Sequence, residues 1–276
     1  MTDRYAVFGN PVAHSKSPRI HALFATQTGE DISYEALLAP IGGFAAAIGK
    51  FAAEGGRGAN VTVPFKEDAY KVATRLSPRA QAAGAVNTLT FADGEIVGDN
   101  TDGAGLVRDI AINLGVSIKD ARVLLLGAGG AARGVILPLL LEQPAELAIA
   151  NRTADKARQL VAEIAHLPAC AVNLKPSGGG FPELAGHAYD IVINATSAGL
   201  SDASLDLPDG IFAAASLAYE MFYGRETAFM TEARQAGTSV ADGLGMLVEQ
   251  AAEAFAVWRG IRPDTLPVLA QLRGEC

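Results

Sequence analysis

Cysteine is nearly absent from this sequence, with Cys170 and Cys276 the two that occur. Two thiols so placed supply neither a disulfide framework nor a cysteine-rich metal site, and they suit a reducing compartment. Histidine is scarce as well: His14, His21, His166 and His187 fall at no metal-ligand spacing, so no metal is expected. His14 is read as structural. Positive charge is the next shortage, since 22 Lys and Arg face 30 Asp and Glu for a net charge of −8. Binding a polyanion needs a basic face, so no nucleic-acid partner is expected, and an anionic metabolite would have to be met by local positive charge. Long apolar runs are missing too. The most apolar stretch, 123–141, is interrupted by Gly127, Gly129, Gly130 and Arg133, whereas a membrane helix needs about 20 predominantly apolar residues; no membrane association is expected. The first five residues are polar and charged, which predicts no export signal and a cytoplasmic location.

What is abundant points to a compact α/β enzyme. Half of the 276 residues are hydrophobic, and 30 Gly and 13 Pro allow many tight turns. The length suits two domains of ordinary size.

A strand is predicted over 5–8, followed by a turn at Gly9-Asn10-Pro11 and a helix opened by Ser17-Pro18, with Ser17 as N-cap and Pro18 at the first helical position. Gly29 closes that helix. Phe44, Ile48 and Phe51 carry helical spacing. A strand over 59–63 should be stopped by Pro64, placed in the first turn of a helix that carries Lys66. Strands over 86–91 and 95–97 flank the hairpin signal Ala92-Asp93-Gly94, and a helix is expected over 106–113. From 122 the pattern alternates: strands over 123–126, 147–150, 190–194, 214–219 and 239–241, with helices after the first two. This is the order of a parallel sheet wound by helices. The amphipathic segment 246–258 is expected to return to the first domain. The fold class is therefore α/β: a first α/β domain over 1–103, a Rossmann-type domain over 104–241, and a C-terminal helical segment over 242–276 that packs back on the first domain.

Gly127-Ala128-Gly129-Gly130-Ala131-Ala132 follows an apolar strand and opens a helix. That context gives the Gly-x-Gly-x-x-Ala pattern its meaning: a tight turn at Gly127, close backbone approach to a pyrophosphate at Gly129, and close helix packing at Ala132. Some 20 residues further on, an NAD-binding chain usually carries an acid for the ribose 2′-hydroxyl. Here the second strand ends in Asn151-Arg152-Thr153, with Lys156 following. Two cations and a hydroxyl attract a 2′-phosphate that a carboxylate would repel, so the predicted cofactor is NADP.

Four polar blocks precede the fingerprint: His14-Ser15-Lys16-Ser17-Pro18, Asn60-Val61-Thr62-Val63-Pro64-Phe65-Lys66, Gly84-Ala85-Val86-Asn87-Thr88 and Gly98-Asp99-Asn100-Thr101-Asp102-Gly103. With the fingerprint, Asn151-Arg152-Thr153, Asn194-Ala195-Thr196-Ser197 and Asp242-Gly243-Leu244-Gly245-Met246-Leu247 with Gln250, the chain resembles shikimate dehydrogenase over essentially its whole length. The resemblance implies NADPH-dependent, reversible reduction of 3-dehydroshikimate to shikimate in chorismate and aromatic amino-acid biosynthesis, by a monomer or homodimer. It implies Lys66 and Asp102 as the catalytic pair, Ser15 and Ser17 on the substrate carboxylate, and Thr62, Asn87, Asp102, Tyr223 and Gln250 on the rest of the substrate. It places Gly127, Ala128, Gly129, Gly130, Ala131, Asn151, Arg152, Thr153, Lys156, Thr196, Met221 and Gly243 at the cofactor.

The residue chemistry agrees with these roles. Ketone reduction builds charge on oxygen, and a lysine beside a carboxylate can deliver the proton and take it back. Serine hydroxyls donate to a carboxylate without adding permanent charge. The chain departs from the family pattern at Glu220, where aspartate is commoner, at Gly224-Arg225-Glu226-Thr227-Ala228, which lacks proline, and at Lys156, where arginine is usual. Two alternatives stay open: a quinate/shikimate dehydrogenase using NAD, and a catalytically silent metabolite-binding homologue.

Overall fold

A computed structural model describes residues 2–165, 167, 174, 176–198 and 203–275. His166, Cys170 and Cys276 lie outside the described residues. The chain forms two compact units, one of Met1–Gly105 with Leu247–Cys276 and the other of Leu106–Met246.

The first unit holds β1 (Asp3–Gly9), α1 (Ser17–Thr28), β2 (Ile32–Leu38), α2 (Phe44–Ala53), β3 (Gly56–Val61), α3 (Lys66–Val72), β4 (Arg75–Leu76), α4 (Pro78–Ala83), β5 (Thr88–Ala92) and β6 (Glu95–Asp99). The strands make one mixed sheet in the order β2-β1-β3-β5-β6-β4. β1 runs parallel to β2 and β3, whereas β5 is antiparallel to both β3 and β6. The two-residue turn between β5 and β6 has Asp93 at φ 52 and Gly94 at φ 77, the geometry in which Asp-Gly matches strand twist. Alternation along the strands sorts the core. Ala6, Phe8, Ala59 and Val61 pack with Phe44, Ile48 and Phe51 of α2. Tyr5 points the other way and stacks on Trp258 at 4.6 Å.

Trp258 belongs to α9 (Leu244–Arg259), which is followed by α10 (Leu266–Gly274). Its indole N–H donates to the Leu89 carbonyl at 3.1 Å, Phe255 meets Phe24 of α1 edge-on, and the Arg259 guanidinium bonds Glu30 and Asp3. The C-terminal helix thus packs on the first sheet, as its amphipathic pattern predicts.

The second unit is wound from β7 (Arg122–Leu126), α6 (Gly130–Leu141), β8 (Glu146–Ala150), α7 (Ala154–Ile164), β9 (Ser177–Gly179), β10 (Tyr189–Asn194), β11 (Phe212–Glu220), α8 (Ala228–Gln235) and β12 (Ser239–Ala241). Its six strands are ordered β12-β11-β10-β7-β8-β9, and every pairing is parallel. That is the doubly wound dinucleotide-binding order, with its reversal between β7 and β10. Period-2 alternation feeds both faces. Val123 and Leu125 join Val135, Ile136 and Leu139 of α6, while Leu124 and Leu126 join Phe229, Met230 and Ala233 of α8. Strands buried on both faces read as continuous apolar runs, which is why β7 and β8 are visible in the sequence.

Three local expectations are corrected. Ser17 is not the N-cap of α1: Lys16 is, at φ −80 and ψ −9 with no side-chain cap bond. The Ser15 hydroxyl instead accepts from the Ser17 amide at 3.2 Å. Pro64 precedes α3 rather than lying in it, and Phe65 is the N-cap. The helix expected over 106–113 is α5 (Asp102–Arg108) continued by a π-helical turn over Asp109–Asn113, in which the Leu114 amide reaches back to the Asp109 carbonyl at 2.9 Å.

His21 of α1 is fully buried and stacks on Tyr34 with ring centroids 4.1 Å apart. Burial lowers its pKa to about 3, with Asn60 pulling weakly the other way, although neither ring nitrogen reaches hydrogen-bonding geometry among the described residues. A histidine that binds its proton more weakly when folded stabilises the fold above the unfolded pKa of about 6.5, and that contribution is lost as pH falls from there toward 3. Wild type should therefore lose about 2 kcal/mol more stability than His21→Phe between pH 7 and pH 5. Urea unfolding at both pH values reads the difference, and parallel pH profiles for the two proteins would rule this origin out.

Candidate active site

Lys66 is the first residue of α3 and Asp102 the first of α5. The Lys66 Nζ donates to Asp102 Oδ2 at 2.5 Å, with the side chains 25% and 10% exposed. The lysine can thus be reached by a small molecule while the carboxylate is sheltered. Asp102 Oδ1 accepts from Asn87 Nδ2 at 2.8 Å, and its amide donates to Asn100 Oδ1 at 3.1 Å. With both oxygens engaged in charge-assisted bonds, the carboxylate cannot turn without losing one. Asn87 is the hub. Its Nδ2 also lies 3.0 Å from Thr101 Oγ1 and 3.3 Å from Gln250 Oε1, and its Oδ1 accepts from the Thr101 amide at 2.8 Å and the Thr88 hydroxyl at 2.9 Å. Gln250 comes from α9, where its own amide donates to the Leu247 carbonyl.

Four of the predicted residues, Lys66, Asp102, Asn87 and Gln250, are thus one bonded group. Ser17 is buried at the start of α1 and Ser15 is half-buried beside it. Thr62 follows β3, its carbonyl accepting from the Phe65 amide at 3.0 Å. A Cβ at Gly9 would come within 2.5 Å of the Thr62 methyl, so glycine there makes room for the threonine. Among the described residues, Ser15 and Thr62 stand outside the bonded group. Asn60, Thr88, Asn100 and Thr101 lie in the polar blocks of the sequence without a predicted role, yet they frame the hub: Asn60 Nδ2 donates to Thr88 Oγ1 at 3.1 Å and to the Asn87 carbonyl at 3.2 Å. Their signal is polarity at the ends of buried strands. Tyr34 carries no such signal, but its hydroxyl donates to Asn60 Oδ1 at 2.7 Å.

In the second unit, Gly127 follows β7 with φ +112, and a Cβ there would lie 3.0 Å from the Ala195 carbonyl oxygen beyond β10. The turn therefore sits at the reversal of strand order, where dinucleotides bind in this architecture. A Cβ at Gly129 or Gly130 would meet nothing within 4 Å, and the N-cap Gly129 offers no side chain to the helix. The first amides of α6 are left open on the side of Gly129, Gly130 and Ala131, an arrangement that fits a pyrophosphate. Ala128 bridges the two glycines, half-buried. Beyond β8, Asn151 Nδ2 donates to the Thr153 carbonyl at 3.0 Å, and Arg152, Thr153 and Lys156 are exposed. Asp155 pairs with Arg158 instead; among the described residues Arg152 and Lys156 have no ion-pair partner. This set fits a phosphorylated ribose.

Thr196, Met221 and Gly243 gather at the ends of β10, β11 and β12. The Thr196 hydroxyl donates to Asn194 Oδ1 at 2.7 Å, the Met221 amide to the Asn194 carbonyl at 3.0 Å, and the Gly243 amide to the Phe222 carbonyl at 3.0 Å. A side chain at Gly243 would collide with the Met221 carbonyl. Glu220 is fully buried and accepts from Asn194 Nδ2 at 2.7 Å, the Thr227 hydroxyl at 3.0 Å and the Phe222 amide at 3.0 Å, so it ties two of these segments together. Burial pushes its carboxyl above the usual range. Tyr223 is half-buried, and burial raises its phenol as well. Among the described residues no group of three or more His, Cys, Asp or Glu could hold a metal ion, and no helix is long and apolar enough to cross a membrane.

Comparison with known proteins gives this geometry its family. Residues 7–89 match the shikimate dehydrogenase substrate binding domain, residues 109–201 the shikimate / quinate 5-dehydrogenase family, and residues 243–273 the shikimate 5′-dehydrogenase C-terminal domain. A shikimate dehydrogenase (NADP(+)) of Dechloromonas aromatica is 65% identical, covering 100% of this chain and 99% of its own. Among solved structures, an Ael1 enzyme from Pseudomonas putida aligns with a TM-score of 0.91 at 49% identity over 98% of both chains. The shikimate 5-dehydrogenase of Thermus thermophilus, in complex with NADP(H) and shikimate, aligns with a TM-score of 0.87 at 34% identity over 100% of both. The chain belongs to the shikimate dehydrogenase family.

Proposed function

We propose that this chain catalyses the reversible, NADP-linked conversion of 3-dehydroshikimate to shikimate, and so serves chorismate and aromatic amino-acid biosynthesis. The observation that carries the reading is the 2.5 Å Lys66–Asp102 pair, held by Asn87 and open on the lysine side. A nicotinamide dinucleotide held by the glycine turn and Arg152 of the second unit would supply the hydride chemistry that interconverts ketone and alcohol.

The remaining work falls to the chain. As hydride reaches the carbonyl carbon, Lys66 Nζ donates a proton to the oxygen; in oxidation it takes the hydroxyl proton and passes it to solvent through its exposed side. Asp102 orients the lysine through its bond to Nζ, and Asn87 keeps the carboxylate from turning. Ser15 and Ser17 hold the substrate carboxylate, Thr62, Asn87, Asp102 and Gln250 hold its hydroxyls, and Tyr223 makes a further substrate contact. The first unit is thus the substrate-binding and catalytic domain. The second binds NADP, with Gly127, Ala128, Gly129, Gly130 and Ala131 at the pyrophosphate, Asn151, Arg152, Thr153 and Lys156 at the 2′-phosphate, and Thr196, Met221 and Gly243 at the nicotinamide.

The test is dinucleotide reduction by the purified protein with shikimate and with quinate, each with NADP and with NAD. Shikimate with NADP is expected to give the highest kcat/KM. Quinate with NAD exceeding it would make the chain a quinate/shikimate dehydrogenase, and cofactor binding without any turnover would make it a silent homologue.

A further inference from the structure

Arg79 lies on α4, away from the Lys66–Asp102 pair, in none of the polar blocks of the sequence. Its guanidinium grips Asp99 at the end of β6 with both arms of the fork, Nε to Oδ1 and Nη2 to Oδ2, each at 2.7 Å. The remaining nitrogen, Nη1, donates to Glu253 Oε1 of α9 at 2.8 Å. The three side chains are 25%, 13% and 24% exposed, sheltered enough for the pairs to hold geometry rather than be screened away.

Each end of this clamp leads to the active centre. Asp99 Oδ1 also accepts from the Asn100 amide at 2.7 Å and from the Ser77 hydroxyl, so it fixes the start of the short run Asn100-Thr101-Asp102. Glu253 stands three residues after Gln250 on α9, and residues spaced by three share one helix face. Asn87 Nδ2 is where the two meet, 2.8 Å from Asp102 and 3.3 Å from Gln250. On the same helix, Arg262 from the segment after α9 joins Glu253 at 2.5 Å and Glu249 at 2.6 Å, so the second Glu253 oxygen is also engaged.

We propose that Arg79 is a positioning residue: by binding Asp99 and Glu253 at once it sets the spacing between the strand end that carries Asp102 and the helix face that carries Gln250. The catalytic consequence rests on the proposed oxidation of shikimate; the mechanical one does not. A guanidinium suits this task because its planar fork takes both oxygens of Asp99 while its third nitrogen reaches Glu253, a bidentate geometry that a lysine ammonium does not reproduce.

The test uses Arg79→Met and, should that variant fold poorly, Glu253→Ala, which breaks the same link while keeping the Arg79–Asp99 fork. Either variant is expected to lower kcat/KM for shikimate by about tenfold to a hundredfold, the range for small misplacements around a reacting centre, with the KM for NADP within about twofold. Arg79→Lys should recover only part of the loss. In a Gln250→Ala background neither change should cost more than about twofold further, because the spacing acts through Gln250. Amide exchange in the free protein should quicken over 99–102 and 247–253, whether or not the wild type turns over shikimate. Unchanged exchange in those segments overturns the proposal. So do kinetic constants that stay at wild-type values while the melting temperature falls, and losses that multiply with that of Gln250→Ala. A wild type inactive on shikimate, with exchange quickened in the variants, would instead sink the assigned activity and leave the clamp standing.

Discussion

Lys66→Met is expected to lower kcat for shikimate oxidation by about a thousandfold, within the range of positioned general acid–base catalysis, and to leave NADP affinity unchanged. Methionine keeps the length and much of the packing of the lysine stem but has no proton to give or take. The bonds that hold Asp102 in place also survive, because Asn87 and Asn100 grip it independently of Nζ. The loss should therefore appear in kcat rather than in folding or in the KM for NADP, whose proposed ligands all belong to the second unit. Asp102→Asn is expected to cost less, about a hundredfold, since the lysine stays and loses only its charged partner. Steady-state kinetics at saturating NADP, with calorimetric titration of the cofactor, separates these effects. If Lys66→Met retains more than about a tenth of wild-type kcat, the proton is handled elsewhere and the mechanism fails. Equal loss of cofactor binding would mean that the substitution disturbs more than the proton.

The parts of the fold legible in the sequence are those whose causes are local. β7 and β8 are apolar on both faces and read as continuous runs, and Gly127 must be glycine for a reason that a strand-turn-helix context already states. β9 was not legible. It is Ser177, Gly178 and Gly179, three small residues with no apolar signal, and a Cβ at Gly178 would lie 2.8 Å from the Ala157 carbonyl of α7. Small residues are there because a helix presses on them, which only the folded chain reveals. β2 escapes for another reason: it is an edge strand with no fully buried position, so its pattern resembles that of a loop. The π-helical turn carries Asp109, whose partner lies 110 residues away, the Tyr219 hydroxyl that donates to it at 2.5 Å. The same limit governs the active site. Nothing in spacing alone links Lys66 to Asp102, 36 residues apart, and only likeness to a family joins them. Neither spacing nor likeness points to Arg79 and Glu253, 174 residues apart. Sequence likeness marks residues that touch ligands more readily than those that hold the touching residues in place.

Arg152→Asp is expected to weaken NADP binding by about a hundredfold or more while changing NAD binding by at most a few-fold. The argument starts from what Arg152 lacks. It is exposed at the end of β8, it has no ion-pair partner among the described residues, and the acid nearby in sequence, Asp155, is taken by Arg158. With Lys156 it leaves two uncompensated cations near the start of α7, where the helix dipole already disfavours positive charge. An anion relieves that cost, and a ribose 2′-phosphate is the anion this architecture places beyond its second strand. A charge-assisted bond to phosphate contributes about 1.5–3 kcal/mol, or roughly tenfold to a hundredfold in affinity. Reversing the charge replaces that gain with repulsion. NAD has a hydroxyl at the same position, which an aspartate can accept from, so its affinity is spared. Lys156→Ala should cost NADP less, about threefold to tenfold, because an ammonium on a flexible stem makes no bidentate contact. At saturating cofactor, kcat for Arg152→Asp should stay close to wild type, since Arg152 takes no part in the proposed Lys66 proton transfer. Binding titrations with each dinucleotide decide the matter: an equal fall for NADP and NAD would show that Arg152 shapes the turn instead of reading the phosphate.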